Sequence, residues 1–195
     1  MEAISIMEHE EPKRSVTTAE IEAKILHEFR WEKRCMPVCP TIELFNFFEA
    51  DVAAVTKTGF VHEIEIKVSR SDFLADFKKS NSNGKKHEIL QAKGDKNPNY
   101  FWFATPKGLL KESDIPHYAG WIEVRWEWFS HYPGGKNGYF RLFIEFKKNA
   151  PRLHGAKVTQ PILNRFMERL TNIVTNGRTP KAMKVTVNEP ELSLF

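Results

Sequence analysis

The sequence predicts an α/β domain, a mixed sheet of four to five strands flanked by helices. Three observations lead there: a capped amphipathic helix stands first, a β-hairpin with a glycine turn follows, and apolar strand-like runs then alternate with short helical pieces. The chain has 195 residues, 41% of them hydrophobic, enough to bury an ordinary core.

Residues 1–15 are polar, acidic and then basic, and read as a tail. Thr17-Thr18-Ala19-Glu20 matches a capping box, and Val16 with Ile21 supplies its hydrophobic staple. The helix runs to about Lys33, with Ile21, Ile25, Leu26 and Phe29 at helical spacing. A loop with two prolines, Cys35 to Pro40, leads into a first strand from Thr41 to Phe48.

The second and third strands flank the turn Thr56-Lys57-Thr58-Gly59, where Gly59 suits a position of positive φ. That turn pairs Thr56 with Phe60 and, counting back, Asp51 with Glu65. Side chains alternate along a strand. Glu63, Glu65 and Lys67 therefore share one face, and Ile64, Ile66 and Val68 point the other way, into a core.

Ser69 or Ser71 caps a short helix from Asp72 to Lys79, with Phe73, Leu74 and Phe77 inward. Ser80 to Gly84 is polar and flexible. Lys85 to Lys93 is helical, Tyr100 to Thr105 is a buried strand, and Gly120 to Arg125 is another. Trp126 to Tyr132 and Tyr139 to Lys147 form a hairpin around residues 133–138. Pro161 to Thr175 is a helix ending at Asn176-Gly177, and a tail follows from Thr179 with an edge strand at Lys184 to Val187. The organisation expected is a tail (1–15), a core (16–125), a C-terminal hairpin and helix packed on it (126–178), and a second tail (179–195).

A net charge of +4 points weakly to an anionic partner. Two cysteines, Cys35 and Cys39, make no disulfide framework and suit a reduced compartment. They are half a zinc site, and no second Cys or His pair completes it. No run of about 18 apolar residues occurs, and the N-terminus has no apolar signal core. The expectation is a soluble, cytoplasmic protein with no membrane partner.

Asp51 facing Glu65 has a cost, because like charges across a strand pair repel. A lysine or a bound cation removes it. Acid, acid and lysine on one face is a metal-site arrangement, and Mg²⁺ (or Mn²⁺) is the natural hard-oxygen candidate. Asp51, Glu65 and the main-chain carbonyl of Ile66 are the expected ligands.

Asp51 followed by Glu65-Ile66-Lys67 resembles the signature of the PD-(D/E)XK nuclease superfamily, the restriction-endonuclease-like fold. The text beyond it, EIKVSRSDFLADFKK, then KKHEIL, NYFWFATPKGLL and GWIEV, resembles that superfamily's MmcB-like or phage-encoded branch. The likeness spans roughly Thr17 to Val124, with Ala50 where a proline is usual. It implies a restriction-endonuclease-like core and a metal-dependent endonuclease that hydrolyses DNA, in repair, recombination or a phage or mobile-element role. RNA stays open as substrate. Asp51 and Glu65 would hold the metal and Lys67 would assist the attacking water. The resemblance implies an acid from the first helix as a further catalytic residue; Glu22 is the choice, with Glu20 and Glu28 competing. Related nucleases often work as dimers, so a homodimer stays open.

Arg70, Lys78, Lys79, Lys85, Lys86 and His87 follow the motif strand and are the candidate nucleic-acid contacts. Glu63 reads as a supporting or surface acid, and His62, on the opposite face, as structural. Tyr100, Trp102, Trp121, Trp126 and Trp128 read as core rather than as stacking platforms for bases. The alternative to an enzyme is a non-catalytic module that binds nucleic acid or protein on the same fold. The aromatic C-terminal hairpin is a further candidate partner surface.

Overall fold

The computed structural model describes Pro12 and residues 14–45, 48–130 and 138–176. Helix α1 (Thr18–His27) runs into a π turn at Glu28–Glu32. Its capping box is present: Thr17 accepts from the Glu20 N–H, and Glu20 reaches back to the Thr17 N–H. The strands that follow are β1 (Val38–Glu43), β2 (Glu49–Val55) and β3 (Val61–Ile66). Next come α2 (Arg70–Asp76), the short pair β4 (Ser80–Asn81) and β5 (Gly84–Lys85), and α3 (Lys86–Gln91). Strands β6 (Tyr100–Pro106), β7 (Ala119–Phe129) and β8 (Tyr139–Lys148) precede α4 (Gln160–Thr175).

Six strands form one mixed sheet in the order β1-β2-β3-β6-β7-β8. The β1, β2 and β3 pairings are antiparallel, β6 runs parallel to both β3 and β7, and β8 returns antiparallel to β7. The sheet is larger than the four to five strands expected. The reason is that β7 runs unbroken from the strand expected at Gly120–Arg125 into the first arm of the hairpin, so β8 joins the same sheet. The expected boundary at residue 125 therefore falls inside a strand. Residues 131–137, which hold most of the expected hairpin turn, lie outside the described residues, as do the expected edge strand at 184–187 and most of the two tails.

Three apolar clusters hold the layers. Ile21 and Ile25 of α1 and Phe29 of the π turn cover one face of the sheet with Val52, Ile64, Ile66 and Trp102. On the other face Phe73 of α2 and Leu90 of α3 pack with Phe101, Phe103 and Trp121. Phe166 of α4 packs with Cys39, Ile42 and Val61 over the β1 edge. Cys35 belongs to the first cluster and Cys39 to the third, and burial pushes their thiols up to about 11 and about 12. Both are free and buried, as two small core residues.

Several local expectations shift. The first strand starts three residues early, at Val38, and ends at Glu43. Ser69 is the cap of α2. Leu74 and Val68 are exposed rather than inward. At Leu74 the inward stripe is instead Phe73, Asp76 and Phe77, and Val68 lies beyond the end of β3, where the strand alternation no longer holds.

Candidate functional site

The hairpin register is the one the turn dictates. Val52 pairs with Ile64 and Val55 with Val61, Gly59 adopts φ +83°, and the Thr56 N–H donates to the Phe60 carbonyl at 2.8 Å. The β2–β3 ladder then stops. At the next position the Ile66 N–H donates not to main chain but to Asp51 Oδ2, at 2.7 Å. Across the other edge of β2, Thr41 sits opposite Asp51, is left out of the β1–β2 ladder, and takes φ +48°. The Asp51 carboxylate thus reaches the last residue of β3.

Glu65 is almost fully buried and lies within ion-pair reach of three lysines. Its Oε2 accepts from Lys67 Nζ at 2.8 Å and from Lys79 Nζ at 3.2 Å, and its Oε1 accepts from Lys86 Nζ at 2.6 Å. Lys86 also stands 2.8 Å from Glu63 Oε1. Lys67 and Lys79 each lie 2.7 Å from Asp76 Oδ1. Asp76 Oδ2 is 2.8 Å from His87 Nε2, and His87 Nδ1 is 2.7 Å from the Tyr118 hydroxyl. Glu63 Oε1 and Asp76 Oδ1 sit at ion-pair distance from ammonium groups without well-aligned hydrogen bonds.

The electrostatics follow from that packing. Burial alone would lower the Lys86 ammonium; Glu63 and Glu65 outweigh it and hold it above the ordinary lysine range. Lys67 is likewise raised against burial by Glu65 and Asp76. Burial would raise Asp76, but the His87 hydrogen bond and Lys67 pull it well below the usual carboxylate range. Glu63 is raised by burial, which Lys86 only partly opposes. Asp51 is pushed up to about 6, first by burial and then by Glu65. Among the described residues no lysine stands at ion-pair distance from it, unlike Glu63, Glu65 and Asp76.

The expected nucleic-acid contacts divide. Lys86 and His87 are buried, a correction forced by α3: its first turn packs against the sheet, so both side chains enter the carboxylate network instead of solvent. Lys79 is 43% exposed while touching Glu65 and Asp76. Arg70 and Lys85 are exposed but paired, with Asp114 at 3.0 Å and Glu88 at 2.9 Å. Lys78 is exposed. Glu63 is buried rather than at the surface.

Glu22 is half-buried on α1, and α1 covers the face of the sheet away from Glu65. Among the described residues no three His, Cys, Asp or Glu side chains gather as a metal ion would need. Ile66 is the last residue of β3, and its N–H, not its carbonyl, is the group that meets Asp51. The sequence reading missed Asp76 and Tyr118. Asp76 had a signal: an acid at i+3 from Phe73 on the inward stripe of α2 requires a buried partner.

The chain matches no family model and no curated protein. Its fold is similar to the solved structure of a protein of unknown function from Silicibacter pomeroyi, at 15% identity and a TM-score of 0.55, over 88% of this chain and 98% of that one. Among the described residues no helix is long and apolar enough to cross a membrane.

Proposed function

We propose that this chain is a metal-dependent nuclease that hydrolyses DNA phosphodiesters. The observation that carries the reading is the end of the β2–β3 ladder, where Asp51 accepts the Ile66 N–H and where burial and then the Glu65 charge push its carboxyl up to about 6. Two hard carboxylate donors with a charge deficit at one of them fit a divalent cation such as Mg²⁺ or Mn²⁺. Asp51 and Glu65 would hold it, and when bound it would polarise a phosphate and acidify a water. Lys79, half in solvent, is the lysine free to leave Glu65 as the cation takes over its charge. Lys67, fixed between Glu65 and Asp76, offers a permanently charged donor toward developing phosphate charge. The order helix, three antiparallel strands, helices, and then β6 parallel to β3 accords with the restriction-endonuclease-like core that the motif implies.

A supercoiled plasmid with Mg²⁺ tests this. Wild type is expected to nick or linearise it, and Asp51→Asn and Lys67→Ala to lose that activity. Equal cutting by all three proteins overturns the assignment.

One observation favours a second reading, a module that binds nucleic acid without cutting it. Both oxygens of Glu65 already have lysine partners, and Lys67 and Lys86 are buried. Calorimetric titration with Mn²⁺ separates the two. Binding that disappears in Glu65→Gln supports the nuclease; DNA association with no Mn²⁺ uptake supports the module.

A further inference from the structure

The face of the sheet away from the carboxylates carries a second candidate site, independent of the nuclease reading. A cavity of about 350 Å³ opens there between the end of α1, β3, β6 and β8. Its volume is in the range of small-molecule sites. Its walls are aromatic. His62 stacks on Tyr100 with centroids 4.6 Å apart, Phe29 meets His62 edge-on at 5.3 Å, and Phe146 meets Trp102 edge-on at 5.5 Å.

The lining carries one cationic side chain, Lys33, and no carboxylate. The Trp102 indole N–H lies 3.0 Å from His62 Nδ1. An indole N–H can only donate, so Nδ1 must accept, and the proton of the neutral ring sits on Nε2. Burial holds the His62 imidazolium down, with a pKa of about 4, which keeps the ring in that tautomer at neutral pH. Lys33 hangs its ammonium 4.0 Å from the centroid of the Phe146 ring and has no carboxylate partner among the described residues. The Asn149 amide stands at the rim, and no acidic residue lines the cavity.

We propose that this cavity binds a small planar aromatic anion, its ring against the Tyr100–Trp102 wall, its charged group on Lys33, and an acceptor atom at His62 Nε2. Aromatic walls favour a flat apolar body over an aliphatic one. A lone ammonium over a ring favours an anion, because a charge-assisted contact replaces a cation–π contact. With donors and no acidic acceptor in the wall, a cationic ligand is disfavoured.

Titration of the full chain with 2-naphthoate, 2-naphthyl phosphate and neutral 2-naphthalenemethanol, read by the His62 imidazole nitrogen resonances, tests the proposal. Saturable binding of at least one anion is expected, with the His62 Nε2 resonance moving most. The better of the two anions tells whether carboxylate or phosphate suits the site. Lys33→Met should weaken that anion by about tenfold or more and leave the neutral alcohol unchanged. His62→Phe, followed by the naphthalene fluorescence of the ligand, should weaken it as well, provided its thermal melt matches wild type; Lys33→Met stands as the test if it does not. Absence of saturable binding overturns the proposal, as does an anion affinity equal in wild type and Lys33→Met, or an alcohol that binds as tightly as the anions.

Discussion

Asp51 Oδ2 accepts the Ile66 N–H at 2.7 Å, in the place where a main-chain carbonyl of β2 would stand if the ladder continued. A carboxylate thus ends the strand pairing and is drawn beside Glu65. The ion-pair network of Lys67, Lys79 and Lys86 is a separate set of contacts to Glu65, and Asp51 takes no part in it.

Asp51 should make stability depend on pH in an uncommon direction. Its carboxyl is raised to about 6 from 3.8, by burial and then by Glu65, so the folded chain holds this proton more tightly than the unfolded one. The stability it contributes is complete below about pH 4 and is lost as pH rises through about 6. Asp51→Asn can still accept the Ile66 N–H without the charge. In metal-free buffer it should be about 1–3 kcal/mol more stable than wild type at pH 7.5 and nearly equal to it at pH 4. Urea unfolding at the two pH values measures this.

Lys86 neutralises Glu63 and Glu65 from a position almost closed to solvent. Lys86→Met leaves both carboxylates short of a buried partner and should cost about 3–5 kcal/mol. Its neighbour Lys85 is exposed and pairs only with Glu88 on the surface, so Lys85→Met should cause no measurable loss. Thermal melts of the two single variants provide the contrast.

His87 should matter to the fold and not to nucleic-acid affinity. It is held by Asp76 and Tyr118 and stacks on Phe77 with centroids 4.3 Å apart. His87→Asn should destabilise the chain by about 1–3 kcal/mol by stranding a buried partner. The salt dependence of DNA association should not change. Exposed Lys78 is the counter-case: Lys78→Ala should leave the melt alone and reduce the log–log salt slope by about 1 if it neutralises a phosphate. Fluorescence anisotropy across a salt series reads both.

Gly120 is a packing requirement of β7. A Cβ there would run into the Trp102 ring and lie 2.6 Å from the Ala150 main-chain nitrogen. Because one obstacle is backbone, Gly120→Ala should cost about 1–3 kcal/mol or more, visible as a lower urea midpoint at unchanged m-value. It should also disturb His62, which accepts the Trp102 indole N–H, and so shift the His62 ring resonances.

Local patterns carried the reading well where the forces are local. The capping box at Thr17 and Glu20, the turn at Gly59 with the register that sets Val52 against Ile64, and the opposed faces of Glu63 and Ile64 are all read from spacings of a few residues, whereas the expected pairing of Asp51 with Glu65 lies one position beyond the end of the ladder. Strand ends were less legible. Val38 to Pro40 looked like a proline loop, yet pairs with β2, because edge-strand prolines are tolerated where no ladder hydrogen bond is needed. A lysine run beside a motif looked like a solvated, phosphate-facing surface. Nothing in Lys85-Lys86-His87 tells which of the three turns inward.

From its order of residues alone, this chain determines its first helix, its glycine-turn hairpin and the register of that hairpin, since backbone sterics and side-chain periodicity act over short stretches. Only the tertiary structure decided that the C-terminal hairpin extends the one sheet, that Asp76 joins the carboxylates, and that Lys86 neutralises Glu65 from 21 residues away. A charge is buried only where distant segments bring it a counter-charge, and that encounter is a property of the packed layers rather than of any local pattern.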